Sequence, residues 1–186
     1  AEHGVPPYRI LAVTFTNKAA KEMRERLTRL AGPEITADLW LGTFHAVCAR
    51  LLRRYHDEVG LTRHYVIYDD ADQRALVKRL MRQLDLDERQ FPPRMLLGKI
   101  NEQKRQALRP SEVVTDWRLD SAFVDLYSKY EESLRRSDAV DFEDLLLHVM
   151  RLAEDPESAA GRDLRSRFSH VLVDEFKDIS PIQAAI

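Results

Sequence analysis

RILAVTFTNKAAKEM, at residues 9–23, is the stretch of sequence that decides the fold. Arg9 to Thr16 is a nearly continuous apolar run, which is typical of a strand buried on both faces of a parallel sheet. From Lys18 to Ala31 the apolar residues recur at helical spacing, and Gly32-Pro33 ends that pattern. The stretch therefore predicts a buried strand that leads directly into a helix, the basic unit of an α/β domain.

Two further segments repeat this pattern. Asp38 to Leu41 is a second short strand candidate, and Gly42-Thr43 turns the chain into another helix. His170 to Val173 (HVLV) predicts a third buried strand, which ends in Asp174-Glu175. A small parallel sheet is the expected result.

The chain between the second and third strands predicts helices, with no convincing long strand from about Asp69 to Phe168. Helical patterns run from Asp69 or Asp70 to about Leu84, from Pro92-Pro93 through Ile100, over Ser121 to Arg135, over Asp141 to Ala153, and from Pro156 toward Phe168. About a hundred helical residues are too many for a simple crossover. The predicted fold class is α/β: a partial parallel sheet interrupted by a large all-helical insertion, in a chain that is helix-rich overall.

The composition of the chain excludes several classes of protein and several kinds of site. The chain has 186 residues, of which 44% are hydrophobic and 32% charged, and its net charge is −2. This near-balance argues against a uniformly basic coat for nucleic acid. The single cysteine, Cys48, excludes an internal disulfide framework and a multi-cysteine zinc site. With no apolar run of membrane-spanning length and no visible signal peptide, we expect a cytoplasmic chain without a membrane partner.

The charge is unevenly distributed along the chain. Arg9 to Arg54 contains nine basic and four acidic residues, whereas residues 116–157 contain five basic and twelve acidic residues. Such asymmetry can mark a side that faces a polyanion, although a solvated helix face gives the same pattern.

Polar residues follow each predicted strand. VLVDEF at 171–176 delivers two adjacent carboxylates, the physical form of a Walker B element, at the sheet edge where α/β proteins bind ligands. One carboxylate can hold hydrated Mg²⁺, and its neighbour can orient water, although acids also simply end strands. At 14–18 and 42–45 the strand-to-helix turns can meet phosphates. There Phe15 could stack on an unpaired base, whereas Phe44 is interpreted as a core anchor, and Thr43 can also act as a helix N-cap.

Together these segments resemble the UvrD/Rep/PcrA group of superfamily 1 DNA helicases. TFTNKAAKEM at 14–23 looks like motif Ia of that group, GTFHA at 42–46 like motif Ib, and VLVDEFKDISPIQ at 171–183 like motif II. YVIYDDADQ at 65–73 and VDFEDLL at 140–146 resemble further segments of the group. Five segments in the expected order are far more specific than any one of them.

The resemblance implies a fold, a reaction and partners. Residues 1–65 would form the first part of a RecA-like (P-loop NTPase) motor domain, 66–165 its helical insertion subdomain, and 166–186 its return strand. Members of the group are motors that use ATP and Mg²⁺ to move along single-stranded DNA and unwind duplexes, usually 3′ to 5′. The implied partners are single-stranded DNA, duplex junction DNA and the remaining helicase domains of a longer chain.

The resemblance also implies roles for single residues. Asp174 matches the acid that coordinates Mg²⁺, and Glu175 matches the acid that activates the hydrolytic water. The positions that match DNA contacts of motifs Ia and Ib, or lie beside them, are Thr14, Phe15, Asn17, Lys18, Thr43 and His45.

Two positions depart from the motif II pattern of the group. Lys177 stands where Gln is usual, and Ile179 stands where Thr is common, whereas Asp174, Glu175 and Asp178 match. Lysine is a cation without acceptor capacity, so any coupling role that needs the amide is in doubt.

A phosphate-binding loop, G-x-x-x-x-G-K-[ST], is missing from the sequence, although a helicase of this group needs one. The only Gly-Lys pair, Gly98-Lys99, lacks the earlier glycine and is followed by Ile100. We therefore expect a fragment, without nucleotide-holding residues of a phosphate loop and without activity on its own. Two alternatives stay open: a non-catalytic DNA- or protein-binding module, and a degenerate ATPase remnant, which Lys177 slightly favours.

Overall fold

The computed structural model describes residues 4–113, 118–175, 177 and 179–186. The strands are β1 (Ile10–Thr14), β2 (Trp40–Thr43), β3 (Val66–Ile67), β4 (Ala139–Val140) and β5 (His170–Val173). The helices are α1 (Asn17–Ala31), α2 (Pro33–Asp38), α3 (Phe44–Arg54), α4 (Asp70–Gln83), α5 (Pro93–Arg105), α6 (Arg118–Arg136), α7 (Phe142–Glu154), α8 (Ala159–Arg167) and α9 (Pro181–Ala185).

A three-stranded parallel sheet in the order β2–β1–β5 forms the α/β part, and α4 to α8 fill the interval before β5. This confirms the predicted fold class. β1 is the central strand, and Leu11 to Thr14 are buried; Leu11 and Val13 pack in a core with side chains of α3 and α7. β3 and β4 form a separate two-stranded parallel ladder that the sequence did not predict.

The second strand begins two residues later than predicted, at Trp40. The cause lies at Gly32-Pro33. Gly32 ends α1 with a φ of 90°, and Pro33 then occupies the first turn of the short helix α2. Proline is pre-set for that position because its φ is fixed and it has no N–H to satisfy. A pair of residues that the sequence marks as a stop is therefore also a start.

The expectation that the third strand is buried is wrong for the described chain. In β5, Val171 is 57% exposed and Leu172 is 59% exposed. β5 lies at the sheet edge and pairs only with β1 among the described strands. An apolar run predicts a strand, but how many layers cover it depends on the assembled sheet.

Two hydrophobic cores organise the helices. The first joins the sheet to α3 and α7 through residues such as Leu11, Val13, Leu52 and Leu145. The second lies among α4, α5 and α6. Since α7 contributes to the first core, α4 to α6 form the more self-contained part of the insertion. The boundaries at 66 and 165 stay predictions.

A buried ionic cluster ties α5, α6 and α7 together. The Nζ atom of Lys104, whose side chain is fully buried, lies 2.7 Å from Glu131, 2.8 Å from Asp141 and 2.7 Å from Asp144. The Tyr130 hydroxyl donates to Asp141 Oδ2 at 2.9 Å. Burial alone would lower the pKa of Lys104, but the surrounding carboxylates outweigh it and hold that pKa well above its usual range. The VDFEDLL segment therefore has a structural task here, whatever else it does.

Candidate functional site

The carboxyl ends of the three strands lie side by side at one end of the sheet. We call this end the motif edge (residues 14–18, 43–45 and 174–175). Thr14 of β1 lies opposite Thr43 of β2 in the strand register. The backbone N–H of Asp174 donates to the Val13 carbonyl at 3.0 Å, and Thr14 Oγ1 donates to Asp174 Oδ2 at 3.5 Å. Segments 160 residues apart in the chain are thus brought into contact.

The two acids after β5 face solvent. Asp174 and Glu175 are both exposed, and Glu175 has a φ of 55°, in the left-handed region. Such a conformation is costly for a non-glycine residue and is concentrated at functional turns. The Nζ atom of Lys177 lies 3.2 Å from Glu175 Oε2. Phe176 and Asp178, which complete the motif, lie outside the described residues.

The first strand-to-helix turn presents an open helix N-terminus. Thr16 caps α1, because its Oγ1 accepts a hydrogen bond from the Ala19 N–H at 3.1 Å. Asn17 and Lys18 lie in the first turn of α1 and are exposed. Lys18 has only a loose pairing with Glu22 at 3.9 Å. The turn can therefore offer an amide, an ammonium group and the positive end of the helix dipole to an anion.

Phe15 is the aromatic residue of this turn. It is half-buried, and its ring centroid lies 5.6 Å from that of Phe44 in a tilted arrangement. Phe44 is only 6% exposed and belongs to the first core, which confirms its interpretation as a core anchor. Phe44 thus supports Phe15 from below while part of the Phe15 ring stays accessible.

The second turn is built more tightly than the first. Thr43 Oγ1 accepts a hydrogen bond from the Ala46 N–H at 3.2 Å, so Thr43 caps α3, and its side chain is nearly buried. His45 is half-buried, and burial lowers the pKa of its imidazole, which favours the neutral ring at pH 7. A neutral ring can donate or accept a hydrogen bond but adds no charge to the site.

Phe142 is a residue of this neighbourhood that sequence reasoning missed. Its ring meets the His45 ring edge-on with 6.0 Å between centroids, and Phe142 is 42% exposed. Asp141 caps α7 directly before it, so the sequence signals that Phe142 begins a helix. No sequence signal indicates that this helix starts beside α3.

The motif edge brings the candidate residues together in two sets. Thr14, Asp174 and Glu175 form the acidic set beside β1 and β5. The set proposed for DNA has six members that differ in exposure. Asn17 and Lys18 are exposed, the rings of Phe15 and His45 are half-buried, and Thr14 and Thr43 are buried.

Comparison with known proteins identifies the family. The family model of the UvrD/REP helicase N-terminal domain matches residues 1–186, the whole chain. The chain belongs to this family. The match agrees with the motifs at the strand ends and with the helical insertion.

Named relatives of this UvrD/REP domain are bacterial DNA helicases. The chain is 38% identical over 182 residues to the ATP-dependent DNA helicase PcrA of Leuconostoc citreum, which covers 97% of the chain and 24% of that protein. It is 36% identical over 185 residues to PcrA of Bacillus subtilis, covering 98% of the chain and 25% of the relative. DNA helicase II of Escherichia coli is 41% identical over 180 residues, an alignment that covers 96% of the chain and 25% of that protein. The chain thus spans about a quarter of the length of these relatives.

The acidic set of the UvrD/REP domain fits part of a nucleotide site. Asp174 offers one exposed carboxylate beside the Thr14 hydroxyl, which suits Mg²⁺ because that ion keeps waters and phosphate oxygens as its other ligands. Over the described ranges, no group of three or more His, Cys, Asp or Glu could hold a metal ion on its own. Nor does any helix of the described chain combine the length and apolarity needed to cross a membrane.

Proposed function

We propose that this chain supplies the motif Ia, motif Ib and motif II surfaces of an ATP-dependent DNA helicase. The observation that carries the proposal is the contact between Thr14 and Asp174, at the edge where α1 and α3 also begin. This contact joins the acids proposed for ATP hydrolysis to the turn proposed for DNA. The two sets are therefore neighbours at one end of the sheet.

The acidic set is assigned to ATP hydrolysis. Asp174 would hold Mg²⁺, and the ion would neutralise charge on the nucleotide phosphates. Glu175, one residue further on and exposed, would orient and deprotonate the attacking water. The Thr14 hydroxyl lies 3.5 Å from Asp174 Oδ2, a distance that allows only a long, weak hydrogen bond to that carboxylate. The phosphates themselves need a loop that this sequence does not contain.

The turns are assigned to single-stranded DNA. Phe15 offers a supported ring face to an unpaired base, and stacking of this kind tolerates any sequence. Asn17 and Lys18 would meet phosphates at the α1 N-terminus, and Thr43 with His45 would meet the backbone at the start of α3. Thr14 is buried beneath these turns, and its hydroxyl contacts Asp174.

The activity of the whole protein is part of the proposal. Since the relatives are named helicases and are about four times longer, we infer a parent that hydrolyses ATP and moves 3′ to 5′ along single-stranded DNA toward duplex junctions. Its remaining domains would be the partners of this chain. Because the named relatives are bacterial DNA helicases, we also propose a location in the cytoplasm.

DNA binding by the chain tests the proposal. Phe15→Ala should weaken the binding of a labelled oligothymidylate about tenfold, because stacking on a base contributes about 1–3 kcal/mol. Fluorescence anisotropy measures the effect. Tyr8→Ala is the matched control, since Tyr8 is an exposed aromatic residue before β1, at the opposite end of the sheet.

A second variant tests whether a loss of binding could come from unfolding instead of a lost DNA contact. Asn17 and Lys18 are exposed, so the double change Asn17→Ala with Lys18→Ala should leave the fold intact, weaken binding and reduce its salt dependence. If both variants bind as wild type does while changes in α4 to α6 abolish binding, the binding-module alternative replaces this proposal.

A further inference from the structure

A concave basic surface lies at the opposite end of the sheet from the motif edge. It has a volume of about 450 Å³, and we call it the arginine groove; its lining residues are Trp40, Arg50, Arg53, Arg54, Arg63 and His64. Trp40 begins β2, and Arg54 ends α3. Because α3 has 11 residues, its two ends are about 15 Å apart. The groove is therefore separate from the turns proposed for DNA.

Aromatic rings stack closely on two arginines of the groove. The Arg50 guanidinium lies 3.8 Å from the Trp40 ring centroid, and that of Arg53 lies 3.6 Å from the Tyr65 centroid. Arg53 also donates to the Arg63 carbonyl at 2.9 Å. A guanidinium that is already ordered loses less conformational freedom when it binds an anion.

The positive charge of the groove is only partly compensated, because Asp138 and Asp163 lie close enough to Arg53 and Arg54 to attract them. None of the described residues that line it is acidic. Each of the two carboxylates has another hydrogen-bond partner: Asp163 accepts from Arg167 Nε at 2.9 Å, and Asp138 accepts from the Thr62 N–H at 2.8 Å. The two basic side chains of the following loop, Arg63 and His64, are exposed. The groove can thus approach several phosphates without displacing an ion pair.

We propose that the arginine groove binds the phosphate groups of a nucleic-acid backbone without reading its sequence. Arginine matches phosphate because its forked N–H groups can donate in pairs. Trp40 and Tyr65 are buried beneath guanidiniums, so they offer neither an apolar centre to a protein partner nor a free ring to an unpaired base. The groove therefore needs no unpaired bases and accepts duplex DNA as readily as a single strand.

The test compares duplex and single-stranded DNA. Binding of a labelled blunt duplex and of an oligothymidylate of equal length is measured by anisotropy between about 50 and 200 mM NaCl. Arg53→Ala with Arg54→Ala should weaken duplex binding at least about fivefold and lower the salt slope by about two. The second variant, Arg63→Ala with His64→Ala, changes only exposed loop side chains and should weaken duplex binding in the same direction.

A matched control removes the same charge elsewhere. Arg26 and Arg29 are exposed on α1, toward the same end of the sheet, and Arg26→Ala with Arg29→Ala should change duplex affinity less than about twofold. Equal losses from the control and the groove variants would overturn the proposal, as would unchanged duplex binding in both groove variants. Displacement of the duplex by a poly-glutamate peptide at equal charge would overturn it in favour of an acidic protein partner. Phe15→Ala tests the motif edge separately, because that change should weaken only single-strand binding.

Discussion

Lys104 lies at the centre of the buried ionic cluster that joins α5, α6 and α7. Its ammonium group is fully buried among three carboxylates that belong to α6, to the start of α7 and to α7 itself. Burying a charge costs several kcal/mol unless its partners compensate. Removing the cation would leave the buried Asp141 and Asp144 carboxylates without their positive partner.

Replacement of this lysine should therefore be severely destabilising. Lys104→Met keeps most of the side-chain volume but removes the charge, and we expect a loss of about 3–5 kcal/mol in the free energy of unfolding. Urea denaturation measures the loss. Lys99→Met, on the exposed side of the same helix, is the control and should cost much less. Equal stability of the two variants would show that the cluster is solvated.

Glu131 should make stability depend on pH. Burial raises the pKa of its carboxyl to about 7, although the charge of Lys104 opposes the shift. Since the unfolded value is about 4.3, the folded state binds the proton more tightly, and stability falls as pH rises through about 7. Glu131→Gln should therefore lose less stability than wild type between about pH 5.5 and pH 8, as measured by Tm.

His148 also contributes to the pH dependence of stability. Burial lowers the pKa of His148, so that histidine makes stability rise as pH rises through its usual value, but it is present in both proteins and cancels in the difference. Glu132→Gln, at the exposed neighbouring position, is the control and should follow wild type. A Glu131→Gln profile parallel to that of wild type would refute the prediction.

At the scale of single elements, helix caps carry much of the local information. Asp69, Asp141 and Ser180 each cap a helix with a reciprocal hydrogen-bond pair, and Thr16, Thr43 and Ser158 each accept one backbone N–H. Each of these contacts involves residues close together in the chain. For this reason α4 and α7 begin where the sequence predicted.

The cap of α3 offers a direct measurement. Thr43→Ala should lower the free energy of unfolding by about 1 kcal/mol, since the Ala46 N–H loses its acceptor. Thr43→Ser keeps the hydroxyl and should recover most of that loss. If serine is as destabilising as alanine in urea denaturation, the buried methyl group and not the cap is the main contribution of Thr43.

Contacts between distant elements were not predictable in the same way. Lys104 meets Asp141 across 37 positions, and His45 meets Phe142 only because α7 packs on α3. The HVLV run predicted a strand, but its exposure depends on what lies beside the sheet. Local hydrogen-bonding rules explain starts and stops, whereas packing partners are decided by the assembled fold.

At the scale of the whole molecule, the set proposed for DNA and the acidic set share the motif edge, and the arginine groove lies at the other end of the sheet. Of the nine basic residues between Arg9 and Arg54, Lys18 lies at the motif edge and three arginines line the groove, whereas four of the others lie further along α1. A net charge of −2 gave no indication of either surface. The distribution of charge over the fold is what matters for a polyanion.

Catalysis should require more than this chain. Without a phosphate-binding loop in its sequence, the chain alone should show no Mg²⁺-dependent ATP turnover above background in a coupled assay. Turnover that Glu175→Gln abolishes would contradict this prediction. Background that is the same in wild type and Glu175→Gln would support it.

The pairing of β1 with β5 has a consequence for how the chain folds. Ile10 and His170 lie side by side in the sheet, so the central strand must wait for a partner made 160 positions later. If the chain between β1 and β5 were an unstructured loop, its length would make the pairing of the two strands slow. The core of α4 to α6 can condense first, and each helix that forms shortens the distance the two strands must search. During synthesis on the ribosome, the insertion would then act as a folding scaffold, assembled before the three-stranded sheet that flanks it in sequence can form.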